Sequence, residues 1–308
     1  MSTIQQASTA GRLARRRSRH LRERLIELML LSAALVAVAT TIGIVFILLK
    51  ESVIFFSQVS IVDFLTDSQW TPLFSDPHFG IWVLLSGTLT SSLVALSVAI
   101  PVGTVLAIYL SEFASARVRE TAKPILELLA GIPTIVFGYF ALFFVTPLLQ
   151  QFIPWLPGFN LLSAGLVMGV MIVPYISSIS EDAMRAVPMA LREGAYALGA
   201  TRLQVALHVV VPAAFSGLAA AYILGISRAV GETMIVAVAA GMQPNLTFNP
   251  TEPAATITAY IVQVAKGDLP HGSVGYLTIF AAGLTLFLLT LCFNLAGYWL
   301  RRRFREEY

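Results

Sequence analysis

Six long apolar runs punctuate the chain, at residues 28–49, 81–110, 125–149, 161–179, 213–240 and 274–300. Each is about 20 residues or longer, the length a helix needs to cross ~30 Å of hydrocarbon. The pattern predicts an all-α membrane protein with six transmembrane helices. The second run exceeds a straight crossing and contains Pro101, so tilt, a kink or an interfacial first turn absorbs the excess. Residues 28–300 then form one transmembrane domain, flanked by an Arg-rich tail at 1–27 and a short tail at 301–308. Two connections stand out, 51–80 and 180–212, and Glu181 and Asp182 are assigned to the second of them.

The distribution of positive charge orients the spans. Arg residues crowd the N-terminal tail (Arg12, Arg15, Arg16, Arg17, Arg19, Arg22, Arg24) and the C-terminal tail (Arg301, Arg302, Arg303, Arg305). Arg117, Arg119 and Lys123 fall between the second and third runs, and Arg185, Arg192 and Arg202 between the fourth and fifth. Only Lys50, Lys266 and Arg228 lie elsewhere, so 17 of the 20 basic residues share one side. The positive-inside rule places that side, and both termini, in the cytoplasm. An even number of crossings agrees with six. Trp70, Trp82 and Trp155 mark the outer interface and Trp299 the inner one. The outer segment 51–80, with Phe55, Phe56, Phe64, Trp70 and Phe74, is expected to pack on the membrane surface. The first run is too long for the 7–15-residue apolar core of a cleaved leader, and it ends at Lys50-Glu51 without a small-residue cleavage site.

Composition agrees with this class. Hydrophobic residues make up 57% of the 308 and charged residues 12%, about half of the ~25% usual in soluble domains. Mean hydropathy is +0.79. The net charge of +3 is mostly a topology signal, not a mark of nucleic-acid binding. The single cysteine, Cys292, excludes an intrachain disulfide and reads as a small buried thiol.

The connection 180–212 carries helix formers where turn residues would be expected. Pro188 suits a first helical turn, Ala190, Leu191, Ala195, Ala197 and Leu198 continue it, and Gly199 can end it in a left-handed conformation. A second segment follows from Arg202 to Pro212. Glu193-Gly194-Ala195, then Gly199, then Val209-Val-Val-Pro212 resembles the signature loop of importer-type (MetI-like) ABC permeases. That loop has an E-A-A triplet, a Gly four residues later and an apolar-x-apolar-Pro ending. Here Gly194 replaces the first Ala, and Val209 and Val211 replace the usual Ile and Leu. The resemblance implies an importer-type permease bundle whose short cytoplasmic helix docks into a groove on an ATPase subunit. Without the resemblance, the loop reads as an amphipathic segment resting on the inner leaflet.

The fifth run contains Ser227-Arg228-Ala-Val-Gly-Glu232-Thr-Met234. An Arg at the centre of a span costs about 2.5–3.5 kcal/mol on insertion scales and needs a partner or an aqueous cavity. Arg228 and Glu232 are four apart, on one face of a continuous helix and close enough to pair, while Gly231 admits a close helix neighbour. Two readings stand: an internal ion pair that positions helices, or a pathway in which Arg228 binds an oxyanion through its planar fork and Glu232 holds it when no substrate is present. Segment 227–234, with Gly131-Ile-Pro-Thr134 and Gly138, is similar to permeases of the phosphate-specific (Pst) system. Trp70-Thr-Pro72, Phe79-Gly80 and Gly87-Thr88 favour the PstC-type subunit over the PstA-type. The resemblance covers nearly all of the chain after the Arg-rich tail. It implies a second, PstA-type permease subunit, a PstB-type ATPase dimer, a periplasmic PstS-type phosphate-binding protein, and Arg228 and Glu232 as pathway residues.

The chain has no G-x-x-x-x-G-K-[ST] pattern, so ATP-Mg is expected on the partner ATPase and no cofactor on this chain. Neither metal-ligand spacing nor a nucleophile elbow occurs, and the chain is not expected to be an enzyme. Permeation of sulfate or molybdate, an ion-coupled carrier using Glu232 as its proton site, and a scaffold without transport remain as rival readings.

Overall fold

The computed structural model describes residues 2–72, 74–270 and 272–303, and gives no side-chain account of residues 2–22, 268, 300 and 301. Residues 304–308 of the expected C-terminal tail, with Arg305, lie outside the described residues. The chain divides into two units, one ending at Glu51 and one beginning at Ser52. The first consists of helix α1 (Ser2–Phe56) without its last turn. It is continuous backbone from the Arg-rich segment into the apolar run, where a tail followed by a helix was expected.

The second unit is built of helices and connecting loops, and among its described residues it has no strand, only two isolated bridges, Trp70 to Phe79 and Gly241 to Ala254. Its helices are α2 (Ile61–Thr66), α3 (Trp82–Ile108), α4 (Ala116–Ala130), α5 (Thr134–Phe140), α6 (Thr146–Gln150), α7 (Leu161–Arg185), α8 (Met189–Ala197), α9 (Arg202–Val205), α10 (Val211–Ala213), α11 (Phe215–Val230), α12 (Met234–Ala239), α13 (Ile257–Gln263) and α14 (Val274–Arg303). Single π-helical turns extend α3 (Tyr109–Phe113), join α5 to α6 (Ala141–Val145), join α9 to α10 (Ala206–Val210) and extend α13 (Val264–Asp268).

Four helices among the described residues are long and apolar enough to cross a membrane: Glu23–Phe56, Trp82–Phe113, Leu161–Arg185 and Val274–Trp299. Six is reached by counting two bent pairs as one span each. Ala116–Ala130 and Thr134–Gln150 meet at 86°, and Arg202–Ala213 and Phe215–Val230 at 74°. The third apolar run is therefore not a straight crossing, and the second bend falls at the entry to the fifth. At the first bend Pro133 is the N-cap of α5. Its ring excludes the preceding residue from helical backbone and removes an N–H from the ladder. Pro101 and Pro174 lie inside α3 and α7 without ending either helix.

The fourth helix is longer than its apolar run. α7 continues to Arg185, so Glu181 and Asp182 belong to its last turns and not to a loop. Lys123 of α4 ties to both, at 3.0 Å from Glu181 Oε2 and 2.7 Å from Asp182 Oδ1, and Glu181 is fully buried. This ion-paired cluster fastens α4 to α7 close to the 180–212 segment.

α3 and α7 form the central pair of the second unit. Their contact is built from small residues, which let backbones approach closely. A methyl group on Gly165 would stand 2.7 Å from Val94 Cβ, and one on Gly169 would stand 2.7 Å from the Ala95 carbonyl oxygen. The buried hydroxyls of α3 are satisfied along their own helix: Thr88 donates to Leu84 O and Ser92 to Thr88 O. Around this pair lies a core that includes Met168, Met171, Ile172, Ile176, Phe137 and Ile235.

At the end of the unit formed by segment 52–80, Phe55, Phe64, Trp70 and Tyr260 pack edge to face. Trp70 is buried rather than interfacial, because α13 supplies a ring that covers it. Trp82, Trp155 and Trp299 are exposed, as interfacial residues should be. Cys292 is exposed on α14, not buried.

His78 holds the same segment closed. Its Nδ1 lies 2.7 Å from Asp67 Oδ2 and its Nε2 3.7 Å from Asp76 Oδ2. The hydrogen bond to Asp67 raises the His78 pKa. Burial pushes the Asp67 carboxyl up, but the Gln69 N–H and His78 outweigh it, and the net shift is down. A raised His pKa contributes stability that is fully present below the ordinary His range and fades as pH rises through the raised value. A lowered Asp pKa contributes stability present above the ordinary carboxylate range and lost as pH falls through the lowered value. The closure is therefore firmest between about pH 4 and 6.5. Hydrogen exchange of segment 67–79 in detergent is expected to be slower at pH 5.5 than at pH 8.5, after correction for intrinsic rates, and His78→Gln is expected to remove the difference. Equal protection at both values in the unmodified chain would refute the assignment.

Candidate functional site

Arg228 sits in the last turn of α11, where its charge complements the free carbonyls of the helix end. The residue is half-buried. Its guanidinium carbon lies 4.0 Å from the centre of the Tyr175 ring on α7, a cation–π contact. Its Nε is buried and has no hydrogen-bond partner. Among the described residues no carboxylate lies within ion-pair distance of Arg228. Tyr175 in turn donates from its hydroxyl to Ala130 O at 3.4 Å, at the C-terminus of α4 beside the Gly131–Pro133 bend.

Glu232 does not pair with Arg228 in this structure. The helix expected to carry both on one face stops at Val230, and Gly231, expected to admit a neighbouring helix, is its C-cap. The chain restarts as α12 at Met234. Glu232 is buried, and its Oε1 accepts the N–H groups of Met234 at 3.1 Å and Ile235 at 3.4 Å, so it caps the new helix. Thr258, on α13, donates to the Glu232 carbonyl at 2.6 Å and fastens the break from the other side. Gly138 of α5 lets α12 approach: a methyl group there would stand 3.2 Å from Met234 O. A basic residue in a last turn followed by Gly is a helix-stop signal, so the break was detectable in Arg228-Ala-Val-Gly231. Tyr175 and Thr258 carried no such signal.

The signature segment folds as its residues imply. Pro188 is the N-cap of α8, and Gly199 has φ +82° beyond its end. Gly199 N–H bonds to Tyr196 O and Ala200 N–H to Ala195 O, the Schellman pattern. Thr201 and Gln204 form a reciprocal capping box that starts α9, and Pro212 lies within α10. Glu193 and Gly194 are exposed on α8, while Ala195 packs against the cluster of Met184, Val187 and Val205. Met189, Leu191, Tyr196 and Leu198 are left uncovered, Leu198 at 90% exposure. An apolar crown on a nine-residue helix is the kind of exposed patch that marks an interaction site.

A helical membrane bundle carrying a short, apolar-crowned helix between two of its spans defines a membrane transport component. The chain belongs to the family of binding-protein-dependent transport system inner membrane components, which matches residues 99–306. It is thus a multi-pass inner-membrane permease subunit. The chain is 36% identical over 293 residues, 94% of each protein, to the "Probable ABC transporter permease protein YqgH" of Bacillus subtilis. It is 34% identical over 262 residues, 78% of each protein, to the "Phosphate transport system permease protein PstC" of Mesorhizobium japonicum. Among solved structures, a chain of a bacterial alginate ABC transporter in complex with an alginate pentasaccharide-bound periplasmic protein superposes with a TM-score of 0.62. The identity is 20%, with 92% of this chain and 95% of that chain covered. A chain of the MetNI methionine ABC transporter gives 0.55 at 21% identity, covering 74% and 95%. These two likenesses establish the fold alone.

Proposed function

We propose that this chain is a permease subunit of an ATP-driven importer of inorganic phosphate, and forms half of its translocation pathway. The observation that carries the reading is Arg228, a cation within the bundle with no counter-ion among the described residues. A charge at membrane depth without a partner is costly, and a transient anion satisfies it. The planar guanidinium, seated on Tyr175, offers parallel donors that fit a phosphate oxygen pair. The similarity to phosphate permeases supports the substrate.

In this reading both termini are cytoplasmic. A second, PstA-type permease subunit completes the cavity, a PstS-type binding protein delivers phosphate from the periplasm, and a PstB-type ATPase dimer carries ATP-Mg. α8, with Glu193, Gly194, Ala195 and Gly199, is the docking helix, and Pro212 ends the signature. ATP-driven closure of the ATPases moves α8, the spans tilt, and Arg228 is presented first to one side and then to the other. Glu232 exchanges with phosphate for Arg228 during the cycle, leaving its cap on α12 as it does so.

Labelled phosphate uptake, with and without excess sulfate, in cells expressing or lacking this chain tests the reading. Uptake that needs the chain and survives sulfate supports it; uptake blocked by sulfate moves the substrate to another oxyanion. Gly199→Val tests the docking helix. A methyl group at Gly199 meets nothing within 4 Å, so the change acts only through backbone strain at positive φ, about 1–3 kcal/mol. Stimulated ATP hydrolysis in the assembled transporter is expected to fall several-fold while the subunit still inserts. Unchanged stimulation would remove α8 from the coupling route.

A further inference from the structure

Arg192 lies on α8 directly before Glu193, yet it turns away from the exposed crown. Its side chain is 10% exposed, and that of its partner Glu112 is 7% exposed. The guanidinium meets the carboxylate with two bonds, Nη2 to Oε1 at 3.1 Å and Nε to Oε2 at 3.4 Å. It also donates to Met184 O at 2.8 Å and Val187 O at 2.5 Å. Ser111 adds a hydroxyl to Glu112 Oε1 at 2.8 Å. These partners belong to three separate pieces of the fold. Glu112 is in the π-helical turn that ends α3, Met184 is in the last turns of α7, and Val187 is in the link to α8. One planar side chain thus joins the docking helix to the ends of both central helices.

We propose that Arg192 and Glu112 form a rigid joint through which movement of α8 is delivered to α3 and α7. They are positioning residues and touch no substrate. The inference rests on α8 being the docking helix. Separating the pair leaves two nearly buried charges without counterparts, which is strongly unfavourable, and strands two backbone acceptors as well. A nine-residue helix held only by the apolar contacts beneath it would be free to rock when pushed. With the joint closed, the push instead turns α8, α3 and α7 as one body. Arg, not Lys, suits this role because only its fork serves a carboxylate and two carbonyls in a single plane.

The test uses the complete transporter, with its ATPases and binding protein, in proteoliposomes. Glu112→Gln keeps the shape and an acceptor oxygen while removing the charge. It leaves Arg192 without a counter-charge, so the apparent Tm is expected to fall by several degrees, while the assembled complex retains ATP hydrolysis and phosphate imported per ATP falls about tenfold. Arg192→Gln should do the same, and Arg192→Lys should recover part of the loss. Spin labels at Ala197→Cys and Phe113→Cys, with Cys292→Ser, report the joint directly. Their separation should stay within about 2 Å between nucleotide-free and ATP-trapped states, and broaden in Glu112→Gln. A larger shift on trapping in the otherwise unmodified chain, or normal import per ATP in both Gln variants, overturns the proposal. Failure of Glu112→Gln to assemble overturns it too, since the pair would then serve folding alone. If the unmodified complex hydrolyses ATP without importing phosphate, the substrate reading fails, and the label separation still decides the joint.

Discussion

Arg228→Ala is expected to cut phosphate uptake by a factor of about 100 or more while the subunit still inserts and assembles. Hydrogen bonds to charged groups are worth about 1.5–3 kcal/mol each, and two parallel bonds from one guanidinium give about 3–6 kcal/mol, or two to four decades. Folding should be spared, because Arg228 supports no ion pair whose partner would be stranded and its Nε is already unpaired. Arg228→Lys keeps the charge but not the fork, and uptake between the two extremes is expected. Glu232→Gln refines the picture. A Gln carbonyl oxygen can still accept from Met234 and Ile235, so the cap on α12 survives and only the charge is lost. Uptake is expected to fall at least about tenfold with thermal stability unchanged. Normal uptake by the Arg228→Ala variant in a quantified, correctly inserted sample would end the pathway assignment.

Gly169→Leu is expected to be among the most damaging single changes to stability. The first side-chain atom alone would stand 2.7 Å from the Ala95 carbonyl oxygen and 3.0 Å from Val98 Cβ. The closest of these is backbone, which cannot move aside without parting α3 from α7. Overpacking in a close-packed interior costs about 1–3 kcal/mol and occasionally more, and a whole Leu against main chain belongs at the high end. The apparent Tm of purified protein in detergent should fall by about 5–10 °C, or the chain should fail to accumulate. Gly158→Leu is the control within the same unit, since nothing lies within 4 Å of a first side-chain atom there, and little change is expected. Equal stability of the two variants would mean that α3 and α7 do not depend on this contact.

The features legible from the amino acids were those set by short stretches of chain. Apolar runs had to match the thickness of a bilayer, so the membrane helices announced themselves, and Pro188, Gly199 and Thr201 marked where helices start and stop around α8. Gly165-x-x-x-Gly169, the close-packing motif of α7, is equally visible in the sequence. The bend at 86° was obscured because an apolar run reads the same whether or not its helix is broken, whereas the 74° bend falls within two residues of Pro212, where the segment from Arg202 is expected to stop. α13 was hidden for a different reason: its seven residues are mostly apolar but far too few to match the thickness of a bilayer.

The site divides along the same line. That a cation stands in an apolar segment, and that a docking-type helix follows α7, are statements about neighbours in sequence, and composition and spacing are enough to make them. That Arg228 rests on Tyr175, that Thr258 reaches the Glu232 carbonyl, and that Arg192 reaches Glu112 across 80 positions of chain are not. Those pairings exist because helices far apart in the chain pack together and bring distant groups within about 3–4 Å. Hydrogen bonds and ion pairs act over that range in space, whatever the separation along the chain.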